Sequence, residues 1–315
     1  PYPVNFLLFD YKGEFSDPAN NHWLNLFEVN RSCILDPILY PLTFTPFKDF
    51  RDRSIQEINL YSTEMANALC ALDRATISAN MSNRLSEAIS DAYKSTKGAP
   101  ISFHLMLEKY QDIMPNPDKD DSVTSVLKQL DRAHLFAEED KVDLVKDSFI
   151  VKMDSYPKDG PVAKAIVYFV ISKLNNIYEK LEKQAVSEDY VEIRHFTIID
   201  EAHYMLSFDN RPLRNLIAVG RNKGLSIILA TQNMDDFKSK SFDFYANAQY
   251  PLIMKQQSIS DGVLKDIFGV SGKEFLDLKA AISGLQKGEL IIKDNTADIL
   301  GIGKKWKKIK VSHLI

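Results

Sequence analysis

Two apolar runs that each stop on polar chemistry constrain this chain more than any other feature. Phe196 to Ile199 (FTII) places four apolar or β-branched residues in a row, as a strand buried on both faces of a parallel sheet requires, and ends on the adjacent carboxylates Asp200 and Glu201. Leu225 to Ala230 (LSIILA) is a second such strand and ends on Thr231 and Gln232. A parallel sheet presents its ligands at the carboxyl ends of its strands. Two neighbouring strands of this kind deliver Asp, Glu and Gln to one crevice, with a helix and Arg221 between them.

That inventory suits nucleoside triphosphate hydrolysis. Mg²⁺ keeps several waters and takes few protein ligands, so Asp200 at a strand end is suited to hold it through its water shell. Glu201, one residue on, is placed to orient the attacking water. Gln232 both donates and accepts, and so can bond that water and the γ-phosphate together. Arg221 supplies a permanent planar cation against charge developing on the phosphoryl group, in its own subunit or across an interface. Each residue also has a plain structural use, the acid pair as a helix cap and Arg221 and Gln232 as solvated surface groups. Their combination favours the catalytic reading.

The run IIDEAH followed by GRNKGLSIILATQ resembles the HerA/FtsK superfamily of P-loop DNA-translocating ATPases, which includes the conjugative coupling proteins. The resemblance implies that Asp200 and Glu201 are the Walker B pair, that Gln232 is a sensor, and that Arg221 is a finger on the neighbouring subunit's nucleotide. The N-terminal FLLFDYKGEF resembles the family's second core strand with its (I/F)xDxKGE ending, so the likeness covers residues 1 to 50 and 148 to 315. Lys12 in that turn is either a solvated turn residue or a nucleotide contact. The letters DEAH also label a helicase superfamily, but the next strand here ends in ATQ instead of a SAT-like motif. By resemblance the ligands are ATP and Mg²⁺, the track is double-stranded DNA, and the assembly is a homo-oligomer, a hexameric ring. The DYKGE spelling and the large insertion look most like the DptH-type ATPases of DNA-phosphorothioate-dependent restriction, which implies a partner nuclease. The competing class is a scaffold or DNA-binding module that keeps the fold without turnover.

A P-loop, GxxxxGK(S/T), occurs nowhere in the 315 residues. Gly269 to Glu274 (GVSGKE) has two residues between its glycines where four are needed; it reads as a helix stop followed by a new N-cap at Ser271, with Glu274 at the capping-box position. The expected fold is therefore α/β, a RecA-like P-loop ATPase core with a parallel sheet that lacks its Walker A strand. The resemblance further implies that the chain is the C-terminal part of a longer protein and is inactive alone. In RecA-like sheets the Walker A strand is central, so the sheet should be split, re-paired or completed by a strand from elsewhere, bordered by the strands ending at Asp200 and Gln232.

The core is expected in two parts, residues 1 to 50 and 148 to 315, around an all-α insertion at 51 to 147 where glycine is nearly absent and amphipathic helices fit Ser54–Leu72, Ser82–Tyr93, Ser102–Ile113 and Ser122–Phe136. Ser32 to Pro46, with three prolines, reads as an extended path. A helix from Gly160 to about Gln184, apolar on most of its circumference, should lie between the sheet and another layer. The C-terminus reads as a ribbon of short strands, Glu289–Lys293, Ala297–Ile302 and Ile309–Ser312. Lys304, Lys305, Trp306, Lys307 and Lys308 in KKWKKIK suit either a nucleic-acid contact, with the indole stacking on a base, or a lysine-protected edge strand. A net charge of −4 confines any nucleic-acid contact to a local patch. Two cysteines with no zinc or disulfide spacing, no apolar run approaching a membrane span and no signal peptide suit a cytoplasmic protein without membrane insertion.

Overall fold

The computed structural model describes residues 4–17, 19, 33–73, 77–187, 190–238, 242–256, 258–301 and 303–311. Ser32, Ile302 and Ser312, which bound three of the expected segments, lie outside the described residues. Chain contacts define two compact units, Pro1–Ala230 and Thr231–Ile315.

The first unit contains β1 (Asn5–Asp10), β2 (Ile34–Leu35), helices α1 (Ile55–Cys70), α2 (Ala79–Ser95), α3 (Phe103–Asp112) and α4 (Ser122–Ala133), then β3 (Phe149–Lys152) and α5 (Pro161–Lys180). A short antiparallel pair, β4 (Val186–Ser187) and β5 (Tyr190–Val191), leads into β6 (His195–Ile199), α6 (His203–Leu206), α7 (Arg211–Val219) and β7 (Leu225–Leu229). Five strands form one parallel sheet in the order β2-β3-β1-β6-β7. Parallel neighbours need long crossovers, and the helices between the strands supply them.

The strand before the acid pair is not buried on both faces as its composition suggested. On β6, His195, Thr197 and Ile199 are buried while Phe196 and Ile198 are half-buried. The second face has a thin apolar cover, in which Leu8 and Ile150 cluster with partly buried Phe6, Phe15, Ile34 and Ile198. β7 is an edge strand among the described residues, and its Ile228 is 41% exposed although the strand is entirely apolar apart from Ser226. The sheet thus ends at β7, and the next apolar strand belongs to a separate sheet, as expected of a missing strand. One detail differs. β6 is interior, paired with β1 and with β7, so only the strand leading to Gln232 carries the open edge.

Among the described residues of 51 to 147 the four expected helices are present, capped by serine or aspartate; the second starts at Ala79, ahead of the expected Ser82, and the fourth ends at Ala133, short of the expected Phe136. Ser54 forms a full capping box with Glu57, Ser78 and Ser102 cap α2 and α3, and Asp121 caps α4. The core helix α5 starts at Pro161, whose fixed φ suits the first helical position. Its Phe169 meets Phe47, Phe103 and Phe136 edge-on at centroid distances of 5.8, 5.4 and 5.5 Å. One aromatic side chain thus ties the helix to the helical segment, and its truncation to Ala would cost roughly 3–5 kcal/mol.

In the second unit, α8 (Phe244–Asn247), β8 (Leu252–Ile253), α9 (Asp261–Phe268), α10 (Gly272–Ser283), β9 (Glu289–Lys293), α11 (Asn295–Leu300) and β10 (Trp306–Lys310) follow in order. The strands form an antiparallel sheet β10-β9-β8. Two expectations fail here. Ala297 begins no strand: Asp294 Oδ1 accepts the Thr296 amide at 3.2 Å, turning the chain into α11. The capping box at Ser271 and Glu274 is also absent, since Ser271 makes no side-chain cap and Glu274 Oε1 instead accepts the Lys305 amide at 2.8 Å. The helix stop at Gly269 is present, with φ +60°.

Candidate active site

The turn after β1 is built around Asp10. Its buried carboxylate accepts from the amides of Gly13 (2.9 Å), Phe15 (3.0 Å) and Ser16 (2.8 Å) and from the Ser16 hydroxyl (2.8 Å). Gly13 has φ +75°, and a Cβ there would stand 2.8 Å from Asp154 Oδ2, so both the backbone and the space require glycine. The turn projects Lys12 across to β6, where its ammonium forms an ion pair with Glu201 Oε1.

Asp200 and Glu201 leave β6 at its carboxyl end, as the sequence predicts, but their environments differ. Glu201 is 4% exposed and has φ +49°, an uncommon left-handed conformation for a residue with a side chain. His203 Nδ1 lies 3.3 Å from its second oxygen, and His203 in turn stacks at 4.0 Å on Tyr204. Tyr11 packs on Tyr204 at 5.3 Å, and Lys158 stands 5.8 Å from the same ring. Asp200 is half-buried, and burial raises its pKa above the usual carboxylate range, with Glu201 and Asp10 adding to the effect and the Glu201 amide and Lys12 opposing it. A carboxylate short of positive charge suits a cation. No group of three or more His, Cys, Asp or Glu is arranged to hold a metal among the described residues.

Arg221 sits elsewhere. It opens a 3₁₀ turn, Arg221–Lys223, before the amino end of β7, whereas Glu201 follows the carboxyl end of β6. The strands run in register from His195 opposite Leu225 to Ile199 opposite Leu229. At about 3.3 Å per residue, the strand length alone separates the two groups by roughly 16 Å. Arg221 and the acid pair therefore stand at opposite ends of the β6–β7 pair. The turn is rigid: Lys223 Nζ donates to the carbonyls of Tyr178 and Glu179 at the end of α5, and Gly224, with φ +78°, lies where a Cβ would meet Glu192 O at 2.7 Å.

Gln232 belongs to the second unit. So does the lysine cluster, where Trp306 is 9% exposed and packs in the apolar core with Phe268, Leu278 and Ile291. Its ring is not available to stack on a base. Lys304 pairs with Asp277 at 3.5 Å, Lys307 with Asp294 at 3.4 Å and Lys308 with Glu289 at 2.9 Å, while Lys305 Nζ donates to Gly269 O at 3.2 Å. A groove of about 1640 Å³ bounded by residues 45–53, α3, α4 and α5 includes neither Asp200 nor Glu201.

The sequence reading missed Asp10, His203 and Tyr204. His203 lies two residues beyond Glu201 and was legible as a neighbour; the Asp10 hub carries no pattern that separates it from an ordinary strand-end aspartate.

No protein-family model matches the chain. It is 24% identical over 255 residues to the DNA import protein CedB of Sulfolobus acidocaldarius, a match that covers 78% of this chain and 38% of that relative. Among solved structures, VirB4 of Thermoanaerobacter pseudethanolicus matches 98% of the chain and 82% of its own length with TM-score 0.69 and 16% identity. The bacterial conjugative coupling protein TrwB matches 98% of the chain and 85% of its own length with TM-score 0.53 and 10% identity. A TrwB structure in complex with a non-hydrolysable ATP analogue gives TM-score 0.50 at 10% identity, over 98% of this chain and 86% of that one. The likeness to HerA/FtsK-type ATPases is thus borne out in the fold: the chain has the α/β architecture, with a parallel central sheet, of VirB4 and TrwB. No helix among the described residues is long and apolar enough to cross a membrane.

Proposed function

We propose that this chain is the Walker B part of an ATP-hydrolysing motor that moves or transports double-stranded DNA. The observation that carries the reading is the pairing of a half-buried, charge-poor Asp200 with a buried Glu201 at the carboxyl end of one parallel strand. The likeness to a DNA import protein and to a coupling protein supports the DNA-handling part.

Asp200 would hold the cation, and Glu201 would orient the attacking water and accept its proton as the water oxygen bonds to the γ-phosphorus and the bond from that phosphorus to the leaving ADP oxygen breaks. Mg²⁺, when bound, neutralises charge on the phosphate oxygens. Gln232 keeps the sensor role that the family resemblance implies for the glutamine that follows β7. Arg221, at the opposite end of the sheet from its own acids, serves the site of a neighbouring copy, which makes a homo-oligomer, a hexamer in the family's pattern, part of the reading. The residues present do not cradle ATP phosphates, because no P-loop occurs in the sequence. The open edge of β7 is where a P-loop strand from another segment would add in parallel, covering Ile228. The domain reading of a core at 1 to 50 and 148 to 315 around an insertion at 51 to 147 goes with this proposal, as does a role in restriction beside a partner nuclease.

The test is ATP turnover by the full-length protein with a P-loop segment present. Glu201→Gln should retain nucleotide binding and lose roughly 10²–10⁴-fold in kcat. Turnover near that of the unchanged protein would remove Glu201 from the reaction and the reading with it.

A further inference from the structure

Helix α5 ends abruptly. Leu181 leaves it in extended conformation, φ −72° and ψ 144°, and the last carbonyls of a helix need donors from outside it. Those of Tyr178 and Glu179 find one in the Lys223 ammonium, the latter at 3.1 Å, which sets a cation where the partial negative charge of the helix collects. The cap of α5 is thus a side chain of the Arg221 turn.

The same contact fixes that turn. Two buried glycines bracket it: a Cβ at Gly220 would meet Leu216 O at 2.6 Å, and one at Gly224 would meet Glu192 O at 2.7 Å. Asn222 O accepts the Gln184 amide at 2.9 Å, and Gly224 O accepts those of Arg194 at 2.7 Å and His195 at 3.2 Å. Ahead of the turn, Asn215 Nδ2 on α7 donates to Asn175 Oδ1 on α5 at 2.7 Å, and Asn175 Nδ2 donates to Glu179 Oε1 at 2.9 Å. Lys223 is half-buried and committed to two carbonyls, whereas Arg221 is exposed. The two cations of one turn therefore divide the work, Lys223 gripping its own chain while Arg221 faces outward.

From this geometry we infer that Lys223 is a positioning residue for the proposed hydrolysis: by pinning the turn to the carboxyl end of α5, it sets where the Arg221 guanidinium stands against the γ-phosphate held by a neighbouring copy. The inference rests on the reading of Arg221 as a residue that serves a neighbour's site. A guanidinium offsets charge on a phosphoryl group only from a fixed place, and a displacement of about 1 Å costs on the order of 10²-fold in rate. A group that acts across a subunit boundary takes that precision from the platform beneath it. Removing Lys223 leaves the fold standing, because the Glu179 bond is exposed to water and the backbone ties of Asn222 and Gly224 remain.

The experiment measures steady-state ATP turnover by the full-length protein, with a P-loop segment present, for Lys223→Met, Lys223→Arg, Arg221→Ala, Glu201→Gln and the double variant Arg221→Ala with Lys223→Met, each checked for native circular dichroism and assembly. Lys223→Met should lower kcat roughly 10–10²-fold with KM for ATP within about twofold, and Lys223→Arg, which still donates to both carbonyls, should restore kcat to within about threefold. The double variant should be no slower than Arg221→Ala alone, since Lys223 acts only through Arg221. Mixing adds a reading that a loss of stability would not give. Lys223→Met subunits mixed with Glu201→Gln subunits should regain turnover, because some boundaries then join a well-placed arginine to an intact acid; mixed with Arg221→Ala subunits they should not. Should Lys223→Met fail to assemble, Lys223→Gln is judged by the same readings. An undiminished kcat, a double variant slower than Arg221→Ala, or no recovery where Arg221→Ala with Glu201→Gln does recover overturns the inference. Arg221→Ala separates the two levels. If it is slow and Lys223→Met is not, only the positioning role fails; if it turns over as the unchanged protein does, the reading of Arg221 fails and takes the inference with it.

Discussion

At the carboxyl end of the parallel sheet, Lys12 meets a carboxylate that is 4% exposed; on β10, Lys307 and Lys308, 53% and 48% exposed, meet Asp294 and Glu289 at the rim of a small antiparallel sheet. Both regions were singled out in the sequence for their charge. In the first, strand ends and a strained backbone bring opposite charges together where water is scarce, and breaking one pair leaves a buried charge. In the second the lysines are solvated, and such pairs contribute about 0–1 kcal/mol each. The apolar residue among those lysines, Trp306, does what the charges do not: it holds its unit together.

The sharpest way to break this comparison is within KKWKKIK itself. Trp306→Ala should destabilise the second unit by roughly 3–5 kcal/mol, read as lost hydrogen-exchange protection across β8, β9 and β10. Protection unchanged by the substitution would return the indole to the surface and revive its stacking role.

A second test belongs to the buried end of the first unit. His195 starts β6 fully buried, and burial lowers its pKa from 6.5 to about 4, with the Leu144 backbone and Asp143 acting in the opposite direction. Above pH 6.5 the ring is neutral in both the folded and the unfolded chain. Below it the unfolded chain takes up the proton first, so stability falls as pH drops from about 6.5 to about 4, by about 3 kcal/mol for this group. Denaturant unfolding at stepped pH should show that slope, and His195→Leu should flatten it. A slope that survives the substitution would assign it to carboxylates instead.

Gly13→Ala comes next. It places a side chain at φ +75° and 2.8 Å from Asp154, and should cost roughly 1–3 kcal/mol in the first unit. Urea midpoints within error of the unchanged protein would mean that the Asp10 turn yields easily. The smallest effect is expected of Lys307→Ala with Lys308→Ala, below about 1 kcal/mol together in thermal unfolding. If these lysines instead contact phosphates, the salt dependence of DNA binding should fall by about one unit of slope per lysine removed.

What the sequence revealed follows the same division. Helices α1, α3 and α4 were legible because a capping residue and a 3.6-residue apolar period agree near each start, α2 was legible as a helix although its cap Ser78 precedes the expected start at Ser82, and the acid pair was legible because an apolar strand ends on it. The thin cover of the second sheet face was not, since FTII offers apolar residues to both faces and only the tertiary structure decides which is covered. ADILGI was misread as a strand because a short apolar run does not distinguish helix from strand, and the Asp294 turn before it decides. Of the two uses weighed for KKWKKIK, the lysine-protected edge strand agrees with β10, while the burial of Trp306 alone among its five residues is decided by the tertiary core and not by its lysine neighbours. The Lys12 pairing joins residues 189 positions apart, and no local pattern reports it.

Lys223 fastens the Arg221 turn to the last carbonyls of α5. That helix has 20 residues, and at 1.5 Å each it is a rod about 30 Å long. Its other end begins just after Lys158, which stands over Tyr204, and Asp154, which lies against Gly13. The turn that holds Arg221 and the turn that presents Lys12 thus stand at the two ends of one helix, a rigid spacer that sets the distance between them independently of the sheet.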